Sequence, residues 1–100
     1  ILGEKDKGFE LMNVWLEATR LSVAAIFVSR AERAFDIALE WCANRKQFGK
    51  VIGKFQGVSF KLADMATEIK LAILILMESA WKIDQKTLTS QDAGMTKLFC

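Results

Sequence analysis

Apolar residues recur every three or four positions through two long stretches of this sequence, residues 13–43 and 55–84. This spacing places apolar side chains along one side of an α-helix. The chain contains no proline and no run in which polar and apolar residues alternate, so no β-strand is indicated. The pattern therefore predicts an all-α fold, an antiparallel helical bundle built on two long helices.

The segments at the two ends predict shorter elements. Residues 1–12 carry several charges and predict a connecting loop that arrives from a further segment upstream. Residues 89–100 predict the start of a third helix. Thr89 or Ser90 is its expected N-cap, and Asp92 falls in the first turn, where a negative charge suits the helix dipole.

The apolar content exceeds what two helices and a short third one can bury. Hydrophobic residues make up 52 % of the chain, whereas a small domain has more surface than interior. The middle of the second helix, Ile69 to Met77, has Lys70 as its one charged residue and is predicted to be buried nearly all round. The longest apolar run, Leu71 to Met77, is far shorter than the roughly 20 residues that span a bilayer. We therefore expect no membrane span, and instead a homo-oligomer or further domains that cover this surface.

Charge and residue types exclude several classes of function. The net charge is +2, with acids and bases interspersed, so no nucleic-acid surface is indicated. The chain has no histidine, which excludes a histidine-based metal site and a Ser/His or Cys/His nucleophile pair within it, and we predict no metal. Cys42 lies inside a helical pattern and is predicted to be a buried, reduced thiol. An intracellular, reducing compartment is therefore expected.

The loop of residues 44–54 interrupts the helical pattern with Gly49 and Gly53. Two glycines four residues apart indicate a shaped turn, because glycine adopts backbone conformations that cost other residues energy. Cations and amides surround them: Arg45, Lys46, Gln47, Lys50, Lys54 and Gln56. The residues alone leave two interpretations, a loop that binds a phosphate or pyrophosphate group and a solvated basic connection between helices.

Several motifs, in order along the chain, resemble one enzyme family. They are LGEKDKGF from Leu2, WLEATR ending at Arg20, RKQFGK from Arg45, the Phe55–Gln56 pair, KLADM from Lys61 and TKLF from Thr96. Together they resemble the start of the C-terminal helical domain of the flavin-dependent acyl-CoA dehydrogenases. The resemblance covers essentially the whole chain, and it favours the binding loop over the solvated connection.

The resemblance implies a fold, an assembly and a cofactor. The fold is two long antiparallel helices and the start of a third, taken from a four-helix bundle that follows an N-terminal helical domain and a small β-domain. The assembly is a homo-oligomer, a dimer or more usually a tetramer, with subunit contacts through this bundle. The cofactor is FAD, bound mainly by a neighbouring subunit.

The same resemblance implies roles for residues of the loop. The arginine that matches Arg45 pairs with the FAD diphosphate, a role that suits a planar, permanently charged guanidinium. Gln47 and Gln56 match residues that hydrogen-bond the same cofactor. Phe48 and Phe55 match residues that line its adenosine side, and packing is the alternative role for both.

On the first helix, Glu17 and Arg20 match the family's substrate-side pair, which lies against the thioester and pantetheine of acyl-CoA. The alternative is an exposed acid and base on a helix surface. Thr19 stands where one branch of the family, including isovaleryl-type enzymes, has its catalytic glutamate, and threonine cannot act as a carboxylate base. The more common base belongs to a glutamate-glycine-threonine motif beyond Cys100. No catalytic residue is therefore predicted in this chain.

The function implied is a step of fatty acid metabolism, the oxidation of acyl-CoA to trans-2-enoyl-CoA, with electron-transfer flavoprotein as the electron acceptor. This chain would be a part of the enzyme that is inactive alone, in the bacterial cytoplasm or the mitochondrial matrix. The alternatives are an acyl-CoA oxidase or flavin monooxygenase relative on the same fold, and a non-catalytic helical interaction module. Reoxidation by electron-transfer flavoprotein or by oxygen would separate dehydrogenase from oxidase.

Overall fold

The computed structural model describes residues 2–100, which form three helices and one short hairpin. Helix α1 spans Gly8–Asn44, helix α2 spans Gln56–Asp84 and helix α3 spans Ser90–Phe99. The hairpin between α1 and α2 pairs strand β1, Lys46–Gln47, with strand β2, Lys50–Val51, and a 3-10 turn over Ile52–Lys54 follows it. The predicted all-α fold is confirmed, with this two-residue ladder as an addition.

Each helix runs antiparallel to the one that precedes it in the chain. Phe35 of α1 lies in one groove with Ile69 and Ile73 of α2, and Val28 lies in another with Ala72, so α2 returns along α1. Helix α3 then runs back beside both. The described residues form an elongated body of 70 × 26 × 18 Å.

Small side chains form most of the core of this chain, at the place where α3 meets both long helices. Ala93 and Thr96 of α3 have no exposed surface, and Ser79 of α2 is 3 % exposed. Small residues allow helix backbones to approach closely, so a ten-residue helix can contact both of its long neighbours. The Ser79 and Thr96 hydroxyls are 2.6 Å apart and hydrogen-bond each other, which satisfies two polar groups inside this core.

Helix α3 begins with a capping box. The Thr89 hydroxyl accepts a hydrogen bond from the Asp92 amide at 3.1 Å, and the Asp92 carboxylate accepts one from the Thr89 amide at 3.0 Å. Both contacts satisfy donors that the first helical turn leaves unpaired. Thr89 is therefore the N-cap, one of the two residues expected for it.

The helix boundaries differ from the sequence-based expectation at the start of the chain. Helix α1 begins at Gly8, so residues 8–12, expected to be loop, are its first turns. The charges and glycines nearby indicated a loop, but Glu10, Leu11 and Met12 are good helix formers and continue the apolar spacing of the helix. Helix α2 begins at Gln56, one residue later than expected.

Two expectations about burial were wrong for this chain. Within Ile69 to Met77, Ala72 alone is buried, while Leu74 is 53 % and Met77 64 % exposed. Among residues 2–100, α2 packs against α1, α3 and the 3-10 turn, and these elements leave much of its middle exposed. Cys42 is half-buried and forms no disulfide.

Helix α1 is also long and apolar enough to cross a membrane, by length and composition only. An 18-residue window within its 37 residues has a mean hydropathy of 1.4. The length of uninterrupted apolar runs did not indicate this helix, because isolated polar residues divide its apolar sequence. Core helices of water-soluble proteins share this length and composition, so these properties alone are weak evidence for a membrane span.

The buried hydroxyl pair generates a prediction about stability. Replacing one partner, by Ser79→Ala or Thr96→Val, leaves the other hydroxyl buried without a hydrogen bond and should lower the free energy of unfolding by about 1–3 kcal/mol. Replacing both removes the unpaired group, so the double variant should lose less than the sum of the single losses. Urea denaturation followed by circular dichroism measures this, with Thr67→Val on the exposed side of α2 as the control. Strictly additive losses would contradict the pairing.

Candidate functional site

The loop between α1 and α2 is a tight hairpin closed by backbone hydrogen bonds. Helix α1 ends at Asn44 because Arg45 has an extended backbone, with φ −68° and ψ 125°. The Arg45 carbonyl accepts a hydrogen bond from the Ile52 amide at 2.8 Å. The chain then reverses direction within the two residues between the strands, Phe48 and Gly49.

Both turn residues have positive φ, 50° for Phe48 and 79° for Gly49. Two consecutive positive values are typical of the type I′ turns in two-residue hairpins. Glycine adopts this conformation freely, whereas a residue with a side chain pays roughly 1–2 kcal/mol for it. The hairpin therefore holds Phe48 in a strained backbone conformation and leaves its side chain 92 % exposed.

The tip of the hairpin joins two aromatic rings and a cation. The rings of Phe48 and Phe55 meet edge to face, with centroids 6.3 Å apart and planes at 88°. The Lys50 ammonium lies 4.3 Å from the centroid of the Phe55 ring, within the range of a cation–π contact. Phe48 and Phe55, seven residues apart in sequence, therefore form one small surface.

Gly53 allows the 3-10 turn to lie directly on the end of α1. A Cβ atom at this position would lie 3.0 Å from the backbone carbonyl oxygen of Cys42, closer than side-chain and backbone atoms normally approach. The hydrogen bond between Arg45 and Ile52 closes the loop, and the contact at Gly53 places it against α1. The loop is therefore positioned by backbone contacts, and its polar side chains remain available.

The cationic and amide side chains of the loop are exposed. The Arg45 guanidinium carbon lies 5.9 Å from the centroid of the Trp41 ring, and within residues 2–100 Arg45 forms no ion pair. Gln47 and Gln56 are exposed. The structure therefore brings together, on one loop and the first residue of α2, all five residues that the resemblance assigned to the cofactor: Arg45, Gln47, Phe48, Phe55 and Gln56.

The two predicted substrate residues lie at the other end of α1. Arg20 is separated from Arg45 by roughly 38 Å, from the rise per residue of an α-helix. Glu17 faces α3, and its carboxylate accepts a hydrogen bond from the hydroxyl of Ser90, the first residue of that helix. Within this chain the candidate residues therefore form two separate sites.

Arg20 lines an open, mostly apolar groove of about 260 Å³. The other lining residues are Leu16, Thr19, Val23 and Lys97. The Thr19 hydroxyl donates to the Trp15 carbonyl at 2.9 Å, so it is engaged within its own helix. An apolar wall with two cations at its edge suits a ligand that combines an alkyl chain with carbonyl or phosphate oxygens.

A cluster of polar contacts between α2 and the start of α3 was not predicted from the sequence. The Lys82 ammonium lies 2.8 Å from the Asp92 carboxylate and 2.9 Å from that of Glu78. The hydrogen bond from Lys82, followed by those from Thr89, lowers the pKa of Asp92 to about 2. The hydrogen bonds to Asp92 and then to Glu78 raise the pKa of Lys82.

The capping part of this cluster is visible in the sequence as Thr89 and Asp92. The contact with Lys82 is not, because it depends on how α2 ends. Lys86 has φ 56° there, and the Thr87 amide donates to the Lys82 carbonyl at 2.9 Å, which turns the chain back toward α2. No group of histidine, cysteine and carboxylate side chains among residues 2–100 is arranged to hold a metal ion.

Comparison with protein families and curated proteins identifies the relatives of this chain. The acyl-CoA dehydrogenase C-terminal domain matches residues 6–100. The chain belongs to the acyl-CoA dehydrogenase family. The probable acyl-CoA dehydrogenase YngJ of Bacillus subtilis (strain 168) is 41 % identical over 99 residues, which are 99 % of this chain and 26 % of that protein. Subunit CarC of the caffeyl-CoA reductase-Etf complex of Acetobacterium woodii is 39 % identical over 98 residues, 98 % of this chain and 26 % of that protein.

Solved structures of similar proteins show the same helical arrangement. The butyryl-CoA dehydrogenase of Megasphaera elsdenii matches with a TM-score of 0.91 at 38 % identity, over 97 % of this chain and 25 % of that chain. PigA with FAD and proline matches with a TM-score of 0.76 at 35 % identity, over 81 % of this chain and 21 % of that chain. This chain spans about a quarter of the length of the curated relatives that it matches. The resemblance to acyl-CoA dehydrogenases is confirmed, while the roles of individual residues stay predictions.

The close approach at Gly53 can be tested by adding one methyl group. Gly53→Ala should push the 3-10 turn away from the Cys42 carbonyl and lower the free energy of unfolding by about 1–3 kcal/mol, the usual cost of overpacking. Gly57→Ala is the matched control, because nothing lies within 4 Å of a Cβ atom there. Chemical denaturation of both variants measures the difference. Equal stability of the two variants would show that the loop is not held by this contact.

Proposed function

We propose that this chain is part of a flavin-dependent acyl-CoA dehydrogenase that oxidises acyl-CoA thioesters to trans-2-enoyl-CoA. Family membership supports an oxidoreductase. The structural observation that carries the proposal is the Arg45 guanidinium, which has no carboxylate partner within residues 2–100 and stands on a backbone-fixed loop beside two amides and two phenyl rings. The chain supplies contacts to cofactor, substrate and neighbouring subunits, and is inactive alone.

FAD fits this set of side chains. A guanidinium offers several donors in one plane to pyrophosphate oxygens, and the amides of Gln47 and Gln56 add neutral donors. The rings of Phe48 and Phe55 offer apolar surface to the adenosine. The match to PigA, solved with FAD, supports a flavin as the ligand. We assign the diphosphate to Arg45, with both amides beside it.

When bound, FAD supplies the acceptor for the hydride that leaves the β-carbon of the thioester. The residues of this chain bind and orient the cofactor, and none of them is assigned the removal of the α-proton. Thr19 carries no carboxylate, and its hydroxyl is bonded to the Trp15 carbonyl. We therefore assign the base to residues outside this chain.

The substrate end of α1 is assigned to acyl-CoA. Arg20 stands at the edge of an apolar groove and forms no ion pair within residues 2–100, so its guanidinium is available to carbonyl or phosphate oxygens. Glu17 is one helical turn away on the same side of α1. Both residues are half-buried in this chain, which favours a pocket wall over a fully solvated surface.

Two kinds of protein partner belong to the proposal. Trp15, Phe27 and Trp41 are 64, 51 and 61 % exposed, and large exposed apolar side chains support a homo-oligomer, a dimer or tetramer. Electron-transfer flavoprotein is the proposed electron acceptor, because the Acetobacterium woodii relative is named as a subunit of a complex with Etf. The proposed location is the bacterial cytoplasm or the mitochondrial matrix.

The name of the Acetobacterium woodii relative, a subunit of a caffeyl-CoA reductase complex, also favours a second candidate function, the reduction of a 2-enoyl-CoA at the same site. Both directions use the same contacts, so they are separated by assay. The full-length protein is tested with acyl-CoA and an electron-accepting dye, with enoyl-CoA and a reduced donor, and with acyl-CoA and oxygen. Peroxide formation with oxygen would favour the oxidase, and turnover in none of the assays would favour a non-catalytic module.

The cofactor role of Arg45 generates a prediction for the full-length enzyme. Arg45→Ala removes a charge-assisted contact of about 1.5–3 kcal/mol and should weaken FAD affinity about ten- to a hundredfold. Arg45→Lys should recover part of the loss, because an ammonium lacks the planar fork. Flavin content per subunit and FAD titration of the apoprotein measure both effects.

The control for this experiment is Arg33→Ala. Arg33 is exposed on α1, the helix that precedes Arg45, and forms no ion pair within residues 2–100, so its loss should leave flavin content unchanged. An Arg45→Ala protein that purifies with full flavin content would overturn the cofactor role of the loop.

The substrate role of Arg20 predicts a different pattern. Arg20→Ala should raise the KM for acyl-CoA about tenfold while flavin content stays at the wild-type level, because Arg20 lies roughly 38 Å from Arg45. Steady-state kinetics and the visible spectrum of the same preparation separate the two effects. An unchanged KM would remove Arg20 from the substrate site.

A further inference from the structure

Glu17 and Arg20 have the spacing of an ion pair but do not form one. They lie three residues apart on α1, where an acid and a base are neighbours on the helix surface and commonly pair. The Glu17 carboxylate accepts a hydrogen bond from the Ser90 hydroxyl instead. Within residues 2–100, Arg20 forms no ion pair.

The position of Ser90 is fixed by the polar contacts around it. Ser90 is the first residue of α3 and follows the N-cap, Thr89. The Asp92 carboxylate binds the Thr89 hydroxyl at 2.7 Å and the Lys82 ammonium at 2.8 Å, which ties the start of α3 to α2. Glu17 therefore faces the positive end of a helix that is anchored to α2, and this end also favours a carboxylate.

We propose that Ser90 is a positioning residue that holds the Glu17 carboxylate away from Arg20 and so keeps the Arg20 guanidinium available to the carbonyl and phosphate oxygens of acyl-CoA. The inference rests on the proposed function and deepens it. It assigns a task in substrate binding to a residue of α3 that the sequence indicated only as a possible helix cap.

The physical consequence concerns binding more than rate. Without the Ser90 hydroxyl, the Glu17 side chain is free to rotate toward Arg20, one helical turn away. A substrate then has to displace that carboxylate before it reaches the guanidinium. Substrate affinity falls, and the reaction of the bound substrate changes little.

The test uses the full-length holoenzyme and the Ser90→Ala variant. The KM for acyl-CoA should rise about two- to fivefold with kcat nearly unchanged, the size expected when a partly exposed ion pair competes for one cation. Ser90→Thr keeps a hydroxyl and should restore the wild-type KM. Ser59→Ala is the matched control, because Ser59 is a first-turn serine of α2 whose hydroxyl bonds within its own helix.

A double-mutant cycle separates positioning from a general effect on folding. Ser90→Ala is introduced into the Glu17→Gln protein, which has no carboxylate to pair with Arg20. In that background Ser90→Ala should leave the KM nearly unchanged relative to Glu17→Gln alone, whatever Glu17→Gln does by itself. The same fold-change in both backgrounds, or an unchanged KM in Ser90→Ala, would overturn the proposal.

Arg20→Ala distinguishes this failure from that of the proposed function. If Arg20→Ala raises the KM and Ser90→Ala does not, the substrate site stands and the role of Ser90 is rejected. If neither variant changes the KM, the substrate site itself is rejected, and the role of Ser90 with it. Thermal unfolding of Ser90→Ala shows whether α3 remains in place.

Discussion

The packing of α3 against both long helices is the contact on which the rest of this chain depends. Ala93 and Thr96 are completely buried there, and Ala24 of α1 is 1 % exposed. These small side chains bring three backbones close together, and the buried hydrogen bond between Ser79 and Thr96 adds a directional requirement that apolar packing lacks. The start of α3, with Ser90 beside Glu17, has its place because of this packing.

The shape of the hairpin is determined by its backbone and not by side-chain packing. Positive φ at Phe48 and Gly49, the Arg45–Ile52 hydrogen bond and the close approach of Gly53 to α1 define its shape. Local strain of this kind is found at functional loops, where the surrounding structure maintains it. A loop shaped in advance loses less conformational entropy when a ligand binds, so donors such as Arg45 contribute more of their interaction energy to affinity.

Helix α1 connects the two candidate sites and also keeps them apart. Arg20 lies on α1 and Arg45 directly follows the last residue of that helix, Asn44, so the distance between them is set by the rise per residue of the helix and not by loop motion. A single site that uses both ends therefore needs residues from elsewhere, either a second copy of this chain or other segments. This geometry agrees with the large apolar surface that the three helices leave exposed, including Trp15 and Trp41.

The sequence by itself determined the three helices, two candidates for the N-cap of α3 (Thr89 and Ser90) and the grouping of the loop residues, because helical periodicity, capping and turn chemistry are local properties. It also carried the family resemblance through motifs such as RKQFGK. Tertiary structure decided the rest. The positive φ of Phe48 comes from strand pairing. The contacts of Glu17 with Ser90, 73 residues away, and of Lys82 with Asp92, 10 residues away, come from the placement of α3. Such contacts depend on how helices end and pack, and no periodicity along the chain encodes them.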